Sequence, residues 1–417
     1  MKGRYKLYII LSLIASLALT ACTKEIISLN SADLMKGVKA EAVEAITLDD
    51  TFISGSADFS LKLFKESITK DKNSLISPTS VLLALAMTAN GAEDNTLKEM
   101  ESLLAGKGNL QGLNDNLYSY LKNLPNSKKS EMTIANSIWF RDEESLKVKE
   151  DFLKTNASYY NASIYKSDFN SSKTPKDINK WVENNTKGMI DKIIDKIDID
   201  TVMYLINAVA FDAEWKNIYN KTDIYKGDFK ELSGDITSVE FMRSEENSYI
   251  EDAMVTGFIR PYADDLYSFV ALLPKEGVDY YSYINSLTGE NFISLINNSV
   301  KTQVSATLPK FSYEYEKNLN EPLITLGIKD AFNASLANFK ALGSSSYGNI
   351  YIGNVLHKTF ISVDEKGTKA GAVTSVEMKT ESAVIEEKKV MLDRPFVYAI
   401  IDNETKLPVF IGTVIDF

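Results

Sequence analysis

The apolar positions of this chain change their spacing partway along. In the first half they recur at helical intervals. Ala57, Leu61, Leu63 and Phe64 fall at helical spacing. Ser77-Pro78-Thr79-Ser80 has the form of a helix start, and the apolar run Val81 to Ala89 follows it. That run is apolar nearly all round, which predicts a buried helix stopping near Gly91. Ile178 to Ile194 predicts a further helix, with Ile178, Trp181 and Val182 on one face. Later segments read as strands: Met203 to Phe211, Ser268 to Leu273, Val304 to Leu308, Phe360 to Val363, Phe396 to Ile401 and Val409 to Ile415. Helices followed by strands predict an α+β fold with large sheets.

From Thr51 onward there is no long Gly/Ser or Pro linker and no internal repeat, so residues 49–417 are expected to form one large domain. Residues 23–48 are mixed and weakly periodic, and read as a tether beginning at Cys22. Ahead of them, Lys2, Arg4 and Lys6 precede an apolar run from Leu7 to Leu19. With the small residues Thr20 and Ala21 this forms an export signal over residues 1–21, too short for a good membrane span. Leu19-Thr20-Ala21-Cys22 resembles a bacterial lipobox, in which the cysteine is lipidated and becomes the mature N-terminus. An ordinary cleaved signal is the alternative. Lipidation implies a protein exported and anchored at the bacterial cell surface or extracellular face, since each buried CH₂ contributes about 0.8 kcal/mol. Cys22 is the only cysteine, so no internal disulfide can form and packing must supply the stability.

Composition narrows the chemistry. Apolar residues are 44% and charged residues 25%, the balance of a soluble globular protein. The net charge of −11 and the absence of basic clusters argue against a nucleic-acid partner. With His357 as the single histidine and no thiol beyond Cys22, metal sites of several histidines, zinc-thiolate sites and cysteine nucleophiles are excluded. A Ser-His-Asp triad would need His357, and no GxSxG elbow supplies its serine. Ser67-Ile68-Thr69-Lys70 and Ser163-Ile164-Tyr165-Lys166 match SxxK but lack the SDN and KTG companions. No P-loop or GxGxxG run supports nucleotide binding. The chain therefore reads as a binding protein with no catalytic centre, metal or cofactor.

One stretch stands apart. Residues 365–387 read EKGTKAGAVTSVEMKTESAVIEE and lie between apolar strand-like runs. With period two, one face carries Thr368, Ala370, Ala372, Thr374, Val376, Met378 and Thr380, small at its start. The other carries Lys369, Gly371, Val373, Ser375, Glu377, Lys379 and Glu381. As a strand, residues 368–381 would span about 46 Å, far beyond the usual length. A solvated surface loop is the other reading of the same residues, and loops of this length are usually functional or disordered.

From about Thr51 to Phe417 the chain resembles the serpin family. The resemblance rests on Asn73 through Pro78 with Ser80 and Ala84-Leu85-Ala86-Met87, then Ala135-Asn136-Ser137-Ile138-Trp139. Ile178-Asn179, Trp181-Val182, Leu205-Ile206-Asn207-Ala208-Val209 with Phe211 and Trp215, and Leu308-Pro309-Lys310-Phe311 continue it in order. Leu326-Gly327-Ile328, His357-Lys358, Glu365-Lys366-Gly367-Thr368 and Asp393-Arg394-Pro395-Phe396 complete it. The resemblance implies a main sheet that is five-stranded before cleavage, two smaller sheets, about nine helices and an exposed reactive centre loop. It implies an irreversible suicide-substrate inhibitor of serine or cysteine proteases, monomeric and not an enzyme, which inserts its cut loop into the main sheet. A non-inhibitory binding or chaperone role is the alternative.

By the same resemblance, Ser77, Ser80, Asn207 and His357 fall at the shutter, where the central strands part. Lys310 and Glu365 fall where a salt bridge can form at the start of loop insertion, and Trp215 lies at the same breach. Gly367, Thr368, Ala370, Gly371, Ala372 and Thr374 suit the hinge, and no proline occurs between Glu365 and Asp393. Lys369 departs from the frequent glutamate and Val373 from the usual alanine, both on the outer face. Counting Glu365 as the first residue, the seventeenth is Glu381, which makes Glu381-Ser382 the expected reactive bond. Lys379-Thr380 is the runner-up, and Thr380-Glu381 the third choice.

Overall fold

The computed structural model describes residues 29–198, 200–346, 348–368 and 388–417. The signal over 1–21, Cys22, the reactive-bond residues Lys379, Thr380, Glu381 and Ser382, and the hinge residues Ala370, Gly371, Ala372 and Thr374 lie outside the described residues.

The first sheet has seven strands. Their order is Ala32–Asp33, Ser163–Ser167, Ser130–Arg141, Met203–Glu214, Gly367–Thr368, Asn354–Val363 and Phe311–Asn318. Two of them are two-residue pieces, and without these the sheet is the expected five. Strand Met203–Glu214 is nearly continuously buried because both its faces are covered. Leu205, Val209 and Phe211 join the main core, whereas Tyr204, Ile206 and Ala208 join a second cluster with Ile178, Trp181 and Val182. This alternation is the pleat itself, and it puts Asn207 on the main-core face, as a polar residue among apolar neighbours.

The second sheet has nine strands and joins the two smaller sheets that the resemblance implied. The join is the 16-residue strand Ile236–Glu251, which pairs with Val300–Pro309, Val255–Pro261 and Ile224–Lys230. A third sheet has two short strands, and the described residues include nine α-helices. The apolar run after Ser77-Pro78 is helix Pro78–Ala89, with every residue buried between the sheets. The helix ends at Ala89 with Asn90 as its cap, and Gly91 just beyond lets Leu342 approach closely, since a Cβ there would lie 2.4 Å from Leu342 Cβ.

Two expectations change. The helix expected over Ile178 to Ile194 spans Lys173–Asn185. It stops because Lys187 and Gly188 turn left-handed (φ 53° and 74°), although Ile190, Ile193 and Ile194 stay buried beyond the break. The tether expected over 22–48 lies against the body where it is described. Ala32 and Asp33 pair with Lys166 and Tyr165 at the sheet edge, and Asp177 accepts from Asn30 Nδ2 (3.0 Å) and Ser31 N (2.8 Å). Weak periodicity hid this segment because strand addition and backbone capping need few apolar side chains.

Candidate functional site

The strand Asn354–Val363 ends in a tight reversal. Asp364 Oδ1 accepts from the backbone N–H of Lys366 (2.8 Å) and Gly367 (3.2 Å), an Asx-type turn built by the side chain. The chain then re-enters the sheet. Thr368 pairs with Val363 on one side and with Ala213 on the other, and Gly367 pairs with Glu214. Only glycine fits there, because a Cβ on Gly367 would sit 2.0 Å from the Ala213 carbonyl oxygen.

Trp215 holds this reversal. Its indole Nε1 donates to the Asp364 carbonyl (2.8 Å), its backbone N–H to the Lys366 carbonyl (2.8 Å), and Tyr219 N–H to the Glu365 carbonyl (2.9 Å). The indole stacks on Tyr262 with ring centroids 4.5 Å apart, and the Tyr262 hydroxyl lies 2.6 Å from Thr368 Oγ1. On the outside, Lys310 Nζ bridges Glu365 (2.9 Å) and Glu240 (3.2 Å). The hydrogen bond from Lys310 holds the Glu365 carboxyl below its ordinary range.

Below Thr368 the gap closes. Asn354 to Thr359 pair in parallel with Tyr204 to Val209, so the strands that flank the re-entering chain are bonded to each other over their lower halves. His357 and Asn207 face each other across this seam, and His357 Nδ1 is hydrogen-bonded to Asn207 Oδ1. His357 Nε2 accepts from the backbone N–H of Ser77 (3.2 Å), so the neutral ring carries its proton on Nδ1. Asn207 Nδ2 donates to Ser80 Oγ and to Asn136 Oδ1, and Asn136 Nδ2 donates to the Ser80 carbonyl (3.1 Å). Burial pushes the His357 pKa down to about 3. Among the described residues the ring's hydrogen-bond partners are an amide oxygen and a backbone N–H, and neither is a carboxylate.

The residues named from the sequence therefore form two groups on one seam. Ser77, Ser80, Asn207 and His357 meet beneath it, with Ser77 contributing its backbone N–H while its hydroxyl has no hydrogen-bond partner among the described residues. Trp215, Lys310, Glu365, Gly367 and Thr368 meet at its upper end. Sequence reading assigned no role to Asn136, Tyr262 or Asp364. Asn136 stood inside a quoted motif, and its register opposite Asn207 was the available signal.

The family model for serpins, serine protease inhibitors, matches residues 54–417. An uncharacterised serpin-like protein of Thermococcus kodakarensis is 30% identical over 369 residues, 86% of this chain and 84% of that protein. The crystal structure of the thermophilic serpin tengpin in its native state superimposes with a TM-score of 0.90 at 53% identity, covering 93% of this chain and 100% of tengpin. Tengpin in its latent state, at the same 53% identity, gives 0.80 over 90% of this chain and 100% of tengpin, so the fold here is nearer the native form. A family model spanning most of the chain and a full-length structural match agree with the seam geometry, and the chain belongs to the serpin family of serine protease inhibitors.

Proposed function

We propose that this serpin is an irreversible suicide-substrate inhibitor of serine proteases. The observation that carries the reading is the seated hinge: Gly367 and Thr368 already lie between the two central strands, which pair directly just below them. The target's serine Oγ attacks the Glu381 carbonyl, the Ser382 amine departs with its proton, and the acyl-enzyme forms. The freed loop then continues the insertion begun at Gly367, antiparallel to both neighbours, as the Asn354–Thr359 ladder parts from Tyr204–Val209. New ladder hydrogen bonds on both sides of the added strand drive this step, and the native fold is a kinetic trap. In the same reading, lipid on Cys22 anchors the inhibitor at the bacterial surface.

Incubation with a panel of serine proteases tests it. An SDS-stable covalent complex with at least one of them is expected, with a released C-terminal peptide starting at Ser382 by mass spectrometry. Cleavage is also expected to raise the melting temperature sharply. Clean loop cleavage with no complex and an unchanged melting temperature would favour a non-inhibitory binding role. A peptide starting at Thr380 would move the bond to Lys379-Thr380.

A further inference from the structure

The first described residue, Leu29, lies at helix Lys173–Asn185. It packs on the apolar cluster that Ile178, Trp181 and Val182 of this helix share with Tyr204, Ile206 and Ala208 of the sheet. Asp177, 4% exposed, accepts from Asn30 Nδ2, Ser31 N and Ser31 Oγ (2.7 Å), so the N-terminal segment is fastened to the middle of the helix. Cys22, which carries lipid in the proposed anchor, stands seven residues before Leu29. A chain of that length spans at most about 25 Å. The surface that an acyl chain on Cys22 enters therefore lies within that distance of Leu29.

The helix presents a row of unmatched positive charge to solvent. Lys173, Lys176 and Lys180 are all exposed. At 3.6 residues per turn they fall within about 60° of one another around the axis, and so form one stripe. None of the three has an ion-pair partner among the described residues, whereas Lys187 and Lys192, beyond the helix, pair with Glu131 and Asp195. Of the helix's two carboxylates, Asp177 is buried and taken up by Asn30 and Ser31, and Glu183 stands beyond the C-terminal end of the stripe. The apolar residues of the helix are used against the sheet, so contact on its outer side is electrostatic, at headgroup level, without insertion. On a chain of net charge −11, such a row is complementary to an anionic surface.

We infer that the outer face of helix Lys173–Asn185 is a membrane-docking surface, on which Lys173, Lys176 and Lys180 rest against the phosphate groups of an anionic bilayer. This rests on the proposed lipid anchor at Cys22, which supplies proximity, while the lysines supply orientation. An acyl chain and a basic patch are complementary signals for stable attachment. The docked face is separate from the hinge. Ala208, the last residue of strand Met203–Glu214 in the cluster beneath the helix, is five residues, about 17 Å, along the strand from Ala213, beside which Thr368 is seated. The helix face meets lipid, and the hinge end stays open to a protease approaching from solvent.

The whole chain, purified from expressing cells and placed in vesicles of phosphatidylcholine with or without phosphatidylglycerol, tests the surface. The mass of the N-terminal peptide reports whether Cys22 is acylated, and timed acetylation of lysines reports which face is covered. Lys173, Lys176 and Lys180 should acetylate several-fold more slowly on the phosphatidylglycerol vesicles than on phosphatidylcholine alone. Molar sodium chloride should abolish that difference. Lys226, exposed on strand Ile224–Lys230, should label equally throughout. In the double variant Lys173→Gln/Lys176→Gln, Lys180 should lose its lipid-dependent protection while the urea midpoint stays that of the parent, since both replaced side chains are exposed and unpaired. An unacylated Cys22 overturns the anchor and the docking together. An acylated Cys22 with equal labelling of the three lysines on both vesicles leaves the anchor standing and overturns the docking surface, as does full protection of Lys180 in the double variant.

Discussion

The indole N–H of Trp215 donates to the carbonyl of Asp364 at 2.8 Å, and this bond ties the end of one central strand to the turn that ends the other. Every residue of the hinge that is seated in the sheet follows directly from that turn. The replacement Trp215→Phe keeps a ring against Tyr262 and removes the donor. It should lower stability by about 1 kcal/mol, the net worth of one buried hydrogen bond. A urea denaturation midpoint identical to that of the parent would show that the indole N–H holds nothing.

Gly367 touches the Ala213 carbonyl so closely that a methyl group has no room. Gly367→Ala should expel residues 367–368 from the sheet and cost about 1–3 kcal/mol, as overpacking does elsewhere. Hydrogen exchange across residues 364–368 should rise several-fold while the ladder Tyr204–Val209 stays protected. Unchanged exchange at the hinge would mean that the backbone absorbs the extra carbon.

His357 makes the seam sensitive to acid. Its folded pKa, about 3, lies below the value of about 6.5 for a histidine in an unfolded chain. The unfolded state therefore binds the proton first as pH falls. Its stabilising effect is complete above pH ~6.5 and is lost progressively down to pH ~3, by up to about 1.4 kcal/mol per pH unit. No other histidine is present, so the slope between pH ~6.5 and ~5 belongs to this residue. Denaturant midpoints at several pH values should show that slope in the parent and a flat line in His357→Gln. Equal slopes in the two proteins would remove His357 as the cause.

The Lys310–Glu365 pair acts in a lower window. Glu365 has its pKa depressed by the hydrogen bond from Lys310, so the pair stabilises above the unfolded carboxyl value of about 4.3 and fades as pH falls through the folded value. Both side chains are partly exposed, so Lys310→Met should cost less than about 1 kcal/mol at neutral pH and nothing at pH ~3. A difference that persists undiminished at low pH would assign the effect to packing of the lysine stem instead.

The buried helix after Ser77-Pro78, six of the strands and the family were legible in the chain itself. Their apolar runs are long, and their motifs fall in a fixed order. Strand Phe311–Asn318 escaped the hydropathy pattern because it is an edge strand with alternate residues exposed. The N-terminal strand Ala32–Asp33 escaped because backbone hydrogen bonds and Asp177 hold it, and neither leaves an apolar signature.

By itself the sequence determined the fold class and the family. Tertiary structure alone decided how the seam residues meet. Asn136, Asn207 and His357 come from three strands, and only the register of the sheet brings them to one seam. Whether Gly367 and Thr368 were seated could not be read from composition, since small residues fit a free loop equally well. The reason is physical. Local pattern records what a segment can bury, whereas the seam depends on which strands, distant in sequence, offer the unpaired backbone that the segment fills.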